Sequence, residues 1–138
     1  MDFEILEHPA DIGFRAYGAT LPELFRNAAL AMLAIADDPA GAVSANEYSL
    51  SADAGDVEAL MVNWLNEVLF WYDGRRIAFH DFRIAGLDAS RVDAVGLGEP
   101  RDPERHHARV IVKAVTWHQL QVAQASDGRW TAQIYLDI

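Results

Sequence analysis

Two stretches of this chain repeat apolar side chains at helical spacing, and each needs a second layer to cover it. Leu21, Leu24, Phe25, Ala28, Met32 and Ile35 make the first stripe. Val57, Leu60, Met61, Trp64, Leu65, Val68, Leu69 and Tyr72 make the second, which keeps the i, i+3, i+4, i+7 rule for roughly four turns. The ends are marked as well as the faces. Thr20 with Glu23 forms a capping box, and Pro22 falls in the first turn, where a missing N–H does little harm. Asp56 is placed to cap the second helix and Asp73-Gly74 to close it; the first should end near Asp37-Asp38-Pro39.

Strands supply the covering layer. Phe3 to Glu7, Ile12 to Tyr17, Asn46 to Ala52, Phe79 to Leu87 and Val92 to Leu97 read as strands. His8-Pro9-Ala10-Asp11 joins the first two as a turn or kink, because Pro9 removes a backbone donor and biases His8 away from helix. A loop rich in charge and proline, Gly98 to Arg105, leads into the last stretch. There, Arg109 to Gln124 and Trp130 to Ile138 read as a hairpin about Ser126-Asp127-Gly128, with Gly128 in the left-handed conformation. An odd loop sets Leu120 and Val122 against Ile134 and Ala132, and period-two alternation sends Trp130, Ala132, Ile134 and Leu136 to the core. Gln133, Tyr135 and Asp137 then take the other face, and without a bulge Lys113 joins them there.

The order β-β-α-β-α-β-β-β-β implies an α+β fold. Two layers are expected, a mixed or antiparallel sheet with both helices on one face, in strand-helix-strand-strand-like units. Residues 1–138 should make one domain, with no linker or low-complexity segment.

Charge narrows the function. The formal net charge is −10, from 21 acidic and 11 basic residues, which argues against a direct grip on a phosphate backbone. There is no cysteine, so disulfides and thiolate metal sites are excluded. The opening MDFEILEHPAD lacks the regions of a signal peptide and no apolar run of about 18 residues spans a membrane, so a cytoplasmic protein is expected.

Candidate site residues are few. Asp11 follows a proline turn, where an aspartate ordinarily satisfies backbone N–H groups; its functional alternative is a metal ligand with Asp137 and the carboxylate of Ile138. Oxygen donors alone suit a hard divalent ion, calcium first, with magnesium or manganese as alternatives. Lys113 interrupts the apolar run Val110 to Val115, either as an edge-strand guard or as a functional cation. His106, His107 and His118 show no helical zinc spacing and read as hydrogen-bonded strand or loop histidines. The glycines at 86, 96 and 98 make neither a dinucleotide fingerprint nor a P-loop.

Five stretches in order carry a resemblance that covers nearly the whole chain. They are His8-Pro-Ala-Asp11, Leu21-Pro-Glu-Leu-Phe25 with its alanine-rich continuation, Leu60 to Glu67, Gly98-Glu99 through Lys113 to His118, and the terminal Leu-Asp-Ile. The chain resembles the archease family, activators of the RNA-splicing ligase. Pro9 departs from the pattern, standing where the family commonly has threonine. The resemblance implies a divalent metal held by Asp11, Asp137 and Ile138 and a role for Lys113 in activation; His8 and His118 are candidates to support those ligands. It implies no catalysis by the chain itself. The expected partner is the ligase that seals RNA ends with GTP, whose guanylation and multiple turnover the family promotes. Two other readings stay open: a chaperone-like or small-molecule-binding module of the same fold, and a metal-dependent hydrolase using Asp11, Asp137 and His118.

Overall fold

The computed structural model describes residues 2–8, 11–37, 41–106 and 108–138, the side chains of residues 7 and 8 excepted. Eight strands and two helices follow one another: β1 Phe3–His8, β2 Asp11–Gly18, α1 Leu21–Ala36, β3 Asn46–Asp53, α2 Val57–Leu69, β4 Ile77–Leu87, β5 Arg91–Pro100, β6 Ala114–Val115, β7 Gln121–Gln124 and β8 Trp130–Asp137. Both caps form as the sequence implies. Thr20 Oγ1 accepts from Glu23 N at 3.3 Å, and Asp56 Oδ1 from Ala59 N at 2.8 Å. A single π-turn, Phe70–Gly74, ends α2.

The α+β reading holds, and every strand pairing is antiparallel. The strands divide between two sheets, however. One has the order β1-β2-β8-β6, with β7 also on β8; the other is β3-β5-β4. Helix α1 packs against β2 and β4, so it bridges the sheets, while α2 lies on β3 and touches α1. Between them Phe14, Phe25, Leu60, Trp64, Leu65, Ile134 and Leu136 are fully buried in one contiguous cluster.

The hairpin register is the expected one: Val122 faces Ala132, Gly128 has φ +89°, and Ala125 N donates to Arg129 O at 2.8 Å to close the three-residue loop. Its first strand is not continuous. Between β6 and β7 the chain turns at Thr116–Leu120, with Gln119 left-handed at φ 49°. The pairs Val115↔Leu136 and Gln121↔Gln133 show three residues more on this strand than the ladder needs. An odd insertion reverses parity. The expectation that Lys113 shares Asp137's face therefore fails as an argument from alternation, since Asp137 faces Ala114 instead. The turn expected at His8 to Asp11 falls partly on Pro9 and Ala10, outside the described residues, as do Asp38, Pro39 and His107.

The loop after β5 is fixed to the core by a buried acid. Glu99 accepts from Val43 N at 2.7 Å and from both guanidinium ends of Arg105, and His106 Nε2 lies 3.2 Å from it. His106 Nδ1 accepts in turn from Asp102 N at 2.7 Å, so His106 is a structural loop histidine, as its sequence setting implies. The Arg105 guanidinium holds the Glu99 carboxyl at about 2 against the opposing effect of burial, with Val43 N–H and His106 adding to it. A lowered folded-state value contributes stability above the usual carboxylate range of about 4.3 and loses it as pH falls towards 2. Glu99→Gln should therefore melt well below wild type at pH 7, and the two melting curves should converge between pH 4.5 and 2. A gap that stays constant over that range would show that the charge is not what holds this loop.

Candidate metal centre

The five-stranded sheet has an apolar face towards α1 and a polar face outward. On β2, Phe14 and Ala16 point inward at zero exposure, and Asp11, Gly13, Arg15 and Tyr17 alternate outward. On β8, Ala132, Ile134 and Leu136 are inward and Gln133, Tyr135 and Asp137 outward. Most charges on the outer face are matched across strands. Arg15 faces Gln133 and donates to its Oε1 at 3.0 Å, lies 3.7 Å from Glu4, and Tyr17 OH donates to Glu4 at 3.2 Å.

At the end of the same ladder the matching stops: Asp11 stands directly opposite Asp137. Like charges at such positions destabilise a sheet, because directly opposed Cβ atoms are only about 4.5–5.5 Å apart. Asp11 is half-buried, with Oδ1 enclosed, while Asp137 and Ile138 are exposed. The donor set is two carboxylates and the adjacent Ile138, all hard oxygen, and it fits a hard divalent ion rather than zinc. Among the described residues no group of three or more His, Asp or Glu side chains converges as a complete cage, so water would have to fill the remaining positions.

The other expected residues divide. Lys113 is exposed, precedes β6, and donates its backbone N–H to Asp137 O at 2.8 Å. That bond is one residue out of step with the Ala114↔Asp137 pairing. His118 lies edge-on to Tyr135 with ring centroids 5.5 Å apart, on the strand that carries Asp137. Thr116 holds it there: its N–H and Oγ1 both reach Tyr135 O at 3.0 Å, and its Oγ1 accepts from His118 N at 3.3 Å. The His8 side chain lies outside the described part; its backbone pairs with Asp11.

Gly13 was not singled out by sequence reasoning, although a glycine inside a strand is itself a signal of close approach. The Tyr135 ring lies over it, and a Cβ there would be 2.7 Å from Tyr135 Cε1. Gly13→Ala should therefore displace Tyr135 and the His118 ring resting on it while leaving the core intact. The expected readout is a shift of both ring resonances in NMR with a stability loss of about 1–3 kcal/mol. Unmoved rings would show that the space over Gly13 is not needed.

Two further features adjoin the pair. Trp117 is 60 % exposed and Ile111 72 % exposed, on either side of β6, which pairs with the end of β8. No helix among the described residues is long and apolar enough to cross a membrane.

This arrangement of sheets and helices has relatives. Residues 3–138 match the model of the Archease protein family (MTH1598/TM1083). The chain is 39 % identical over 140 residues to Protein archease of Methanosarcina acetivorans, covering 99 % of this chain and 95 % of the relative. It is 35 % identical over 141 residues to Protein archease of Methanopyrus kandleri, covering all of both. Among solved structures, the solution structure of Methanobacterium thermoautotrophicum protein 1598 superposes with a TM-score of 0.83 at 33 % identity, covering 99 % of each chain. A Thermotoga maritima archease, described as a possible chaperone, shares the fold at a TM-score of 0.67 and 18 % identity. With relatives matched end to end and the family model spanning nearly all of its residues, this chain belongs to the archease family.

Proposed function

We propose that this protein is a non-enzymatic activator of an RNA-splicing ligase, promoting the ligase's guanylation and multiple turnover through a divalent-metal site at the end of β2 and β8. The observation that carries the reading is the direct opposition of Asp11 and Asp137. Two carboxylates set face to face are costly without a cation, and Ile138 follows Asp137 directly in the chain. Asp11, Asp137 and Ile138 would hold the ion, calcium being the first expectation and magnesium or manganese the alternatives. Bound there, a divalent ion supplies positive charge and open coordination positions for oxygen ligands.

The surroundings suit a docking role better than a catalytic one. Exposed Trp117 is of the residue type that anchors protein interfaces, and Lys113, at the other end of β6, is exposed as well. A net charge of −10 favours encounter with a cleft made electropositive by its need to bind RNA and GTP, and makes the encounter weaken with salt. The pocket beneath α1 and β4, bounded by Leu33, Tyr72, Phe79 and His106, is about 10 Å³, room for about one water and not for an enclosed small molecule.

The test is a guanylation time course of the purified cognate ligase with GTP and a divalent ion, with and without substoichiometric amounts of this protein. Acceleration that disappears with Asp11→Ala and Asp137→Ala, both folded, is the expected result. An active ligase left unaccelerated by the wild-type protein would overturn the role.

A further inference from the structure

The second sheet repeats the charge problem of the candidate metal centre with the sign reversed. Beyond the last paired residues of the second sheet, Ile77↔Pro100, Arg101 N donates to Arg76 O at 2.8 Å, so Arg76 and Arg101 stand directly opposite each other. Five other arginines are held by carboxylates, Arg15 by Glu4, Arg26 by Asp81, Arg83 by Glu47, Arg91 by Asp53 and Asp93, and Arg105 by Glu99 and Asp102, while Arg75 and Arg129 lie over aromatic rings. Among the described residues neither Arg76 nor Arg101 forms such an ion pair, in a chain with an excess of acids.

We propose that Arg76 and Arg101 clamp a dianionic phosphoryl group in the cavity between them. That cavity is about 400 Å³ and is lined by Arg76, Arg101, Pro103, His106 and Ala108, within the size range of small-ligand sites. Three observations besides charge support it. Arg76 has φ 61°, a left-handed conformation unusual for a side chain of this size, and such strain collects at ligand clamps. Arg101 is already held in place: its Cζ lies 4.4 Å from the Tyr72 ring centroid and its Nη1 donates to Tyr72 O at 3.4 Å. Tyr72 is fixed in turn by its hydroxyl on Asp37 Oδ2 at 3.2 Å.

The chemistry of the lining selects the ligand class. Planar guanidinium forks match phosphate oxygens two at a time, and two cations match a dianion. His106 is wall rather than donor, since Nδ1 is taken by Asp102 N–H and Nε2 faces Glu99. The nearby acids Glu99 and Asp102 are engaged by Arg105. Among the described residues no Phe, Tyr or Trp lines the cavity for a base to stack on, so the phosphoryl group is what the site recognises.

The test is calorimetric titration of the full chain with inorganic phosphate and with ribose 5-phosphate at constant ionic strength. Saturable binding is expected, weakened by about tenfold or more in Arg101→Gln. Arg76→Gly should weaken it similarly, and because glycine relaxes the left-handed backbone this variant stays folded. Arg83→Gln, whose partner Glu47 lies elsewhere, should bind as wild type. Tighter binding of the ester assigns the cavity to an esterified phosphate, and equal or weaker binding assigns it to the free ion. Heat that does not saturate, affinities unchanged in both variants, or an equal response to sodium chloride would each overturn the proposal.

Discussion

Asp137→Asn will raise the melting temperature of the metal-free protein and abolish the further rise that calcium gives the wild type. The first effect follows from register alone. Asp11 and Asp137 face each other on the ladder, and relieving a directly opposed like-charge pair gains about 0.2–1 kcal/mol. The second follows from linkage. A ligand present at about a hundred times its dissociation constant stabilises by about 2.7 kcal/mol, on the order of 10 °C for a chain of this size. Asparagine keeps the shape and one carbonyl oxygen but loses the charge, so most of that increment should vanish. In the proposed role, acceleration of ligase guanylation vanishes with it. Calorimetric melting with and without calcium reads both stability effects in one protein. A variant that melts lower without metal, or responds to calcium like the wild type, would remove Asp137 from the site.

Trp64→Ala should cost about 3–5 kcal/mol, the largest stability loss expected of a single side chain here. Trp64 has zero exposure in α2, meets Phe82 edge-on at 5.6 Å between centroids, and donates Nε1–H to Phe25 O at 2.9 Å. It therefore joins α2 to α1 by a hydrogen bond and to β4 by packing. Truncation loses the ring contacts, leaves a cavity that the surrounding side chains fill only in part, and removes a donor from a buried carbonyl. Trp64→Phe, which restores most of the volume but not the N–H, should lose about 1–2 kcal/mol. Urea unfolding of the three proteins decides this, with the slope against denaturant expected to stay constant. A loss below about 1 kcal/mol for alanine would mean that the two helices do not depend on this contact.

The helices were legible because their signals are local: Thr20 and Asp56 cap as their spacing implies, and the stripes through Leu24 and Trp64 are the buried faces. The register of β7 on β8 was legible for the same reason, being set by a three-residue loop around Gly128. What could not be read depends on contacts distant in sequence. The interruption at Thr116–Leu120 is stabilised by Thr116 reaching Tyr135 and by Gln133 donating to Gln119 O, neither of which alternation reveals. The division into two sheets rests on which strand β8 joins, a choice made between segments at opposite ends of the sequence. Likewise the pairing of Asp11 with Asp137 is a consequence of β2–β8 register, and no spacing within either segment announces it. The resemblance names the two residues together, and the ladder sets them opposite each other.

The position of β8 also has a temporal consequence. It is the strand to which β2 pairs on one side and β6 and β7 on the other, and it is synthesised after all of them. On the ribosome, the first sheet can exist only as the β1–β2 hairpin until β8 emerges to fill its centre. Contacts of such long sequence separation are slow to form. The facing acids therefore come together only in the closing step of folding, so a nascent chain cannot hold a metal there before its core is complete.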